Sequence, residues 1–159
     1  MTTLEQAIQA LKANGFTARL HADRHQAVQA VLAEIPDKVS IGRCGSVTCT
    51  ELGLYDRLVH RGNLLIDPYQ PHLTPEEKDA TRRKTQQSDV LLTGTNAVTL
   101  DGKLVNIDGV GNRVTAQVFG PGHVIIVIGR NKLVTDVHAA IRRIKTIACP
   151  LNAKRLKLE

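Results

Sequence analysis

The chain has no tryptophan, and its aromatic residues amount to two Phe and two Tyr. A nucleic-acid surface built on base stacking therefore has almost nothing to build with, and no nucleic-acid partner is expected. The formal charge of +6 is read instead as a field that favours a small anionic ligand or an acidic partner surface. Cysteine is scarce too. Cys44, Cys49 and Cys149 cannot all pair and form no C-x-x-C, which removes a disulfide framework and an iron–sulfur or zinc site as expectations for this chain. The histidines show no H-E-x-x-H or comparable spacing, so no metal is expected. Long apolar runs are missing as well. The longest, residues 124–129, falls far short of the roughly 18 needed to cross a bilayer. The opening Met1-Thr2-Thr3-Leu4-Glu5-Gln6 lacks the basic start and apolar stretch of a secretory signal, so a cytoplasmic location without a membrane span is expected.

What is present fits one folded domain over residues 1–159. Apolar residues make up 42% and charged residues 23%, the proportions of a globular protein and not of a disordered tail. Leu4, Ala7, Ile8 and Leu11 recur at helical spacing before Asn14-Gly15, a left-handed stop. Asp23 precedes Gln26 at cap spacing, and Ala27, Val28, Val31, Leu32 and Ile35 make the apolar stripe of a second helix that Pro36 ends. A short strand is expected over 38–41, then a glycine turn, then a helix capped by Thr48 and Glu51 that carries Leu52, Tyr55, Leu58 and Val59 inward. A strand follows over 64–67. Thr74-Pro75-Glu76-Glu77 combines cap, N1 proline and capping-box acid at a helix start. That helix is peculiar: over 78–87 its sole apolar residue is Ala80, so it lies exposed or covers a site or a partner.

A strand opens at Asp89. Residues 97–107 read as a hairpin on Asp101-Gly102, the dipeptide suited to a type I′ turn. Asn112 is placed to cap a short helix through Phe119, and Gly120-Pro121-Gly122 breaks it. Residues 124–128 are consecutive aliphatics, as in a strand buried on both faces, and are expected at the centre of the sheet. Val137, Ala140, Ile141, Ile144, Ile147 and Ala148 line the last helix until Pro150 stops it. Alternating strands and helices imply an α/β fold with a mostly parallel sheet, which places ligands beyond the carboxyl ends of its strands.

Three glycine-bearing loops fall at such ends. In the first, Gly42, Gly45, Ser46 and Thr48 suit a phosphate or carboxylate, because backbone approaches closely at glycine and a helix start offers free N–H groups; an ordinary strand-to-helix turn is the competing reading. Cys44 there is either a nucleophile or an inert thiol. In the second, Asp108 is a candidate general base and Arg113 a candidate anion clamp beside Gly109, Gly111 and Asn112. Equally, Asp108 bonds local N–H groups and pairs with Arg113. In the third, Arg130 and Lys132 follow the aliphatic strand as further anion-binding candidates. Glu51 is a second, weaker candidate base.

Three segments together carry a resemblance: Gly45-Ser46-x-Thr48-x-x-Glu51-x-Gly53, Thr93-Gly94-Thr95-Asn96-Ala97-x-Thr99-x-Asp101-Gly102, and Val105-Asn106-x-Asp108-Gly109-x-Gly111-Asn112-Arg113. With Phe119-Gly120-Pro121, Gly129-x-Asn131-Lys132 and Arg143-Ile144-Lys145, they make nearly the whole chain resemble the lactate-utilisation (LUD) domain family. The resemblance implies the CoA-transferase-like, three-layer α/β/α fold shared with ribose-5-phosphate isomerase and glucosamine-phosphate deaminase, with a mostly parallel sheet plus the hairpin. It adds Thr95 and Asn96 to the ligand-binding candidates. It implies a non-cluster subunit or accessory protein of a system that oxidises L-lactate to pyruvate, working with iron–sulfur partner proteins and holding a small anion in its loops. The alternative, from fold relatives alone, is a stand-alone enzyme or sensor for a phosphorylated sugar or acyl-CoA. A homo-oligomer is left open. Two departures stand out. Cys44-Gly45-Ser46 replaces the Gly-Gly-Ser of many members, and the cysteine-rich tail of some longer relatives does not follow Asn152-Ala153-Lys154-Arg155-Leu156, which assigns any cluster to a partner. Whether Leu158-Glu159 belong to the natural chain is left open. The reading as a whole expects the Ser46, Asn112 and Lys132 turns to face one cavity.

Overall fold

The structure is a computed structural model that describes residues 2–157; Leu158 and Glu159 lie outside the described residues. In chain order it forms α1 (Thr3–Ala13), α2 (Arg24–Glu34), β1 (Ser40–Arg43), α3 (Val47–Glu51), α4 (Leu54–His60), β2 (Leu64–Ile66), α5 (Pro75–Thr85) and β3 (Val90–Thr93). Then come β4 (Ala97–Thr99), β5 (Leu104–Val105), α6 (Asn112–Phe119), β6 (His123–Ile126), β7 (Leu133–Val134), α7 (Val137–Arg143) and α8 (Cys149–Leu156). The fold is mixed α/β, in agreement with the expected class. Its residues cluster into two compact units: His21–Gly94 with Asp108–Ile128, and the residues up to Leu20 with Thr95–Ile107 and those from Gly129 onward.

The larger unit is a parallel four-stranded sheet in the order β2-β1-β3-β6. Side chains alternate across a strand, so each strand feeds two cores. Ile41, Val90 and Leu92 turn to one face and meet Val28 and Ile35 beside α2, Cys49 of α3, and Leu54, Tyr55 and Leu58 of α4. Leu91 and Cys44 turn to the other and meet Ala116 of α6 and Val124. The result is helix, sheet and helix in three layers. Gly42 falls on that second face inside β1, which runs two residues further than expected. A Cβ there would lie 2.5 Å from Ser88 Oγ and 2.9 Å from the Thr85 carbonyl, so its bare backbone lets the end of α5 close onto the sheet. The crossover after β1 runs through α3 and α4 to β2, and that after β3 runs through α6 on the opposite face to β6. The carboxyl ends of β1 and β3 therefore form a topological switch point, where open α/β sheets leave a crevice.

Several expectations change. The aliphatic strand β6 is an edge strand of this sheet and only half-buried; a run of consecutive aliphatics signals contact on two faces but not rank in the sheet. The single helix expected after the first loop is broken at Gly53, φ +63°, and Val59 turns outward while Tyr55 and Leu58 are buried.

The smaller unit holds α1, the sheet β5-β4-β7 and the C-terminal helices. The hairpin β4–β5 forms as expected, but its turn differs. Gly102 N–H donates to the Thr99 carbonyl and Thr99 N–H to the Lys103 carbonyl, both at 3.0 Å, and only Gly102, at φ +78°, is left-handed. This is the three-residue loop with a glycine bulge, not type I′, which needs two left-handed residues. Pro150 does not end the last helix. A π-helical turn over Ile144–Ala148 precedes it, and the chain continues directly into α8 with Pro150 in its first turn.

Candidate functional site

Loop one follows β1 in the larger unit. Gly45 is left-handed, φ +61°, and a Cβ on it would meet Tyr69 Oη at 2.7 Å, so only glycine lets the turn pass beneath the tyrosine. Ser46 caps α3: its Oγ accepts from Cys49 N–H at 3.2 Å. It touches the end of β3, since a Cβ on Gly94 would lie 2.8 Å from Ser46 Oγ. Thr93 closes the seam by donating from Oγ1 to the Cys44 carbonyl at 3.5 Å. The cap expected of Thr48 and Glu51 is thus made by Ser46 instead. Thr48 is the second residue of a helix of 5 residues, and Glu51 is exposed at its far end. So short a helix sums few peptide dipoles. Loop one gives the site its shape, and charge has to come from elsewhere.

Loop two enters α6, and its cap also differs from expectation. Gly111, left-handed at φ +78°, is the N-cap residue and makes no side-chain cap. Asp108 supplies the bond instead, its Oδ2 accepting from Val114 N–H at 2.9 Å. Its Oδ1 accepts from Arg113 Nε at 2.9 Å and also from the Arg113 terminal nitrogen. Of the two readings left open for this pair, local bonding and mutual pairing is the arrangement found. Both side chains are nearly buried. Asn112, released from capping, donates to Cys44 Sγ at 3.6 Å, while its carbonyl accepts from Gln86 Nε2 at 2.9 Å. Gly109 is exposed, with open space about it.

Cys44 lies at the floor of this cluster, 3.7 Å from Thr85 Oγ1. Burial pushes its thiol pKa up, against hydrogen bonds from Thr85 and Asn112 and against Arg113. Tyr69 hangs over Gly45. Burial raises its phenol too, with Cys44 adding to the rise and Arg82 and Arg113 opposing it. The ring of Tyr69 also lies 5.5 Å from the Arg43 guanidinium, which sits 4.6 Å from Tyr55. Arg43 in turn donates to Asp67 at 2.8 Å and to Thr50 Oγ1 at 3.2 Å.

Arg43, Tyr69, Arg82 and Gln86 were not among the candidates drawn from the sequence. The polar helix α5 explains why. Lys78, Thr81, Arg82 and Thr85 follow the i, i+3, i+4, i+7 spacing of a buried stripe, and these positions are less exposed than Asp79, Ala80, Arg83 and Lys84. The helix turns a polar face inward, where Thr85 meets Cys44 and Gln86 meets Asn112. Its lack of an apolar face was the available signal. Within the stripe, Arg82 stands out: its Nε is buried and has no acceptor among the described residues, a condition shared only by Arg43 Nε.

The remaining candidates lie in the smaller unit. Thr95 Oγ1 donates to Asn106 Oδ1 at 3.0 Å, and Asn96 N–H donates to the same oxygen at 3.1 Å. Asn96 Oδ1 accepts from Ile107 N–H at 3.0 Å, and its carbonyl accepts from Arg143 at 2.6 Å. Both residues fasten the hairpin. Arg130 and Lys132 form a short 3-10 turn leading into β7. Gly45, Ser46, Asp108, Asn112 and Arg113 are thus gathered at the strand ends of the larger unit, Gly42 serves packing, and Thr95, Asn96, Arg130 and Lys132 belong to the other unit. Among the described residues no three His, Cys, Asp or Glu side chains assemble as a metal ion would require, and no helix is long and apolar enough to cross a membrane.

An open parallel sheet with crossovers on opposite faces, and a polar cluster where those crossovers diverge, defines a three-layer α/β/α protein. The LUD domain family model matches residues 4–159, and the chain belongs to the LUD domain family, which is associated with lactate utilisation. No curated protein matches the chain.

Proposed function

We propose that this chain is a non-cluster subunit or accessory protein of an iron–sulfur L-lactate oxidation system, and that it contributes a small-anion pocket at the carboxyl ends of β1 and β3. Family membership supports the lactate context. One observation carries the pocket: side chains of Cys44, Thr85, Gln86 and Asn112 meet at the switch point, and on the same face of α5 the cation Arg82 has a buried Nε without an acceptor among the described residues, as Arg43 has. Buried donors without partners are uncommon, and a bound ion or water is one way in which such a donor is satisfied. The iron–sulfur clusters belong to partner proteins, which the basic surface of this chain attracts through acidic surfaces of their own. Affinity purification from cells grown on lactate tests this. Iron–sulfur proteins are expected to co-purify, and deletion of the gene is expected to stop growth on L-lactate. Recovery of the chain alone, with growth unchanged in the deletion, rejects the reading.

A further inference from the structure

We infer that the C-terminal helix α8 is this chain's docking element, and that it fits a protein partner whose surface sets an apolar pocket beside a carboxylate-rich patch; the inference rests on the subunit reading proposed above. Ala140 of α7 and Ile144 after it are buried, whereas from Lys145 to Lys157 no residue is. A helix of 8 residues on its own is marginal in water, so α8 is carried by its continuity with α7. The π-helical turn between them decides which residues it shows. In an unbroken α-helix the buried line through Ala140 and Ile144 would run on through Ile147 or Ala148 to Leu151. The turn over Ile144–Ala148 winds wider and carries the line to Ala148 and Ala153, which are half-buried. The alanines therefore face inward, and the bulkier Ile147 and Leu151 stand 47% and 64% exposed. A helix that served its own unit alone would do the opposite.

Charge identifies what covers this face. From Val137 to Lys157 the sequence has no Asp or Glu, against Arg142, Arg143, Lys145, Lys154, Arg155 and Lys157. Arg143 donates to the Asn96 and Asn131 carbonyls of its own unit. The other five are exposed, and none forms an ion pair among the described residues. Ile147, Leu151, Lys154 and Arg155 follow the i, i+4, i+7, i+8 spacing of one face, and Arg155 is steadied by a 2.7 Å bond to Asn152 Oδ1. Apolar and cationic parts thus succeed each other along the axis. An interfacial helix on a lipid surface needs an apolar face along its whole length, which α8 lacks. A second copy laid face to face would set these cations against their equals. A groove on another protein, apolar at one end and acidic at the other, matches both parts.

Carbodiimide cross-linking of the full chain, purified with its partners from cells grown on lactate, tests the inference, because the reagent joins a lysine amine to a carboxylate in contact with it. Mass mapping is expected to find Lys145, Lys154 or Lys157 joined to Asp or Glu of another protein. Recovery of that protein is expected to fall about 10- to 100-fold in Leu151→Ser, as for a leucine that no longer fills a pocket. It should fall about tenfold or more in the double variant Lys154→Glu, Arg155→Glu, and decline as salt is raised. The substituted side chains are exposed, so both variants should unfold at the wild-type temperature, which separates loss of the partner from loss of the fold. Cross-links confined to lysines outside α7 and α8, cross-links between copies of this chain alone, no cross-link at all, recovery unchanged in either variant, or a lower unfolding temperature each overturns the inference. Binding to vesicles of phosphatidylcholine and phosphatidylserine that Leu151→Ser removes assigns the helix to a lipid surface and overturns it too. Iron–sulfur proteins that co-purify but are joined through another surface overturn it while leaving the subunit reading standing. An acidic protein without clusters joined to α8 does the reverse.

Discussion

At the scale of single residues, the neighbours of Cys44 and Asp108 favour one of the two readings that the sequence left open for each. The sequence places Cys44 in a glycine loop at a helix start, where a thiol is often acidified. The structure buries it to 2% exposure and raises its pKa through desolvation, which outweighs the bonds from Thr85 and Asn112. Alkylation with iodoacetamide at about pH 8 should therefore label the exposed Cys149 quickly and leave Cys44 and Cys49 nearly untouched until the protein is unfolded. Rapid labelling of Cys44 in the native protein, seen by peptide mass mapping, would contradict this. Asp108 has both oxygens occupied by Arg113 and Val114 N–H, so its substitution is a test of stability. Asp108→Asn leaves Arg113 charged and nearly buried without its counter-ion, and should lower unfolding free energy by about 3 kcal/mol; denaturant titration reads this directly. The pairing was open to the sequence, since five residues separate acid from base across a glycine turn. Arg82 was not legible in the same way. It stands in the run Arg82-Arg83-Lys84, and nothing local distinguishes the cation that turns inward from the two that turn out.

Helices were the most legible elements, because their signals are local. Asp23 caps α2, Thr74 and Glu77 close a capping box at α5, and Asp136 caps α7, each through a bond within three residues. What escaped depends on contacts distant in sequence. Strand β7 has two residues and exists through its parallel pairing with Val98 and Thr99, so no pattern within it could announce it. The extension of β1 through Gly42 is likewise paired from afar, with Ile66 and Leu91, and the close approach of α5 to it depends on the missing Cβ. That dependence can be tested by Gly42→Ala, whose Cβ would come within 2.5 Å of Ser88 Oγ and 2.9 Å of the Thr85 carbonyl. One of these contacts is backbone and cannot swing away. Overpacking of this kind should cost about 1–3 kcal/mol, read as a lower urea midpoint with an unchanged slope. Gly15→Ala, at a left-handed position with no atom within 4 Å of the new Cβ, isolates backbone strain from crowding and should cost about 1 kcal/mol. Equal losses in the two variants would argue against the close approach of α5.

For the molecule as a whole, fold class and family were legible and the division into units was not. The smaller unit is assembled from three separated stretches of chain, with the larger unit's residues between them, and composition does not shift at their borders. A common property of the larger unit nonetheless sets how the whole chain responds to alkali. Cys44, Tyr55 and Tyr69 all belong to it, and burial raises all three pKa values above the ordinary 9.0 of a thiol and 10.0 of a phenol. Above those ordinary values the unfolded chain releases protons that the folded chain keeps. Stability is therefore fully present below about pH 9 and is lost as pH rises through the ordinary values toward the folded ones. Lysine deprotonation acts the other way, since it lowers the net positive charge and its self-repulsion. Tyr55→Phe separates the two, because it removes one buried phenol, together with its 3.0 Å bond to the Leu92 carbonyl, and leaves every lysine in place. Urea midpoints compared at about pH 8 and about pH 10.5 should fall in the wild-type protein and fall less in Tyr55→Phe, although the variant starts lower. Parallel declines in the two proteins would mean that the buried phenol does not drive the alkaline loss.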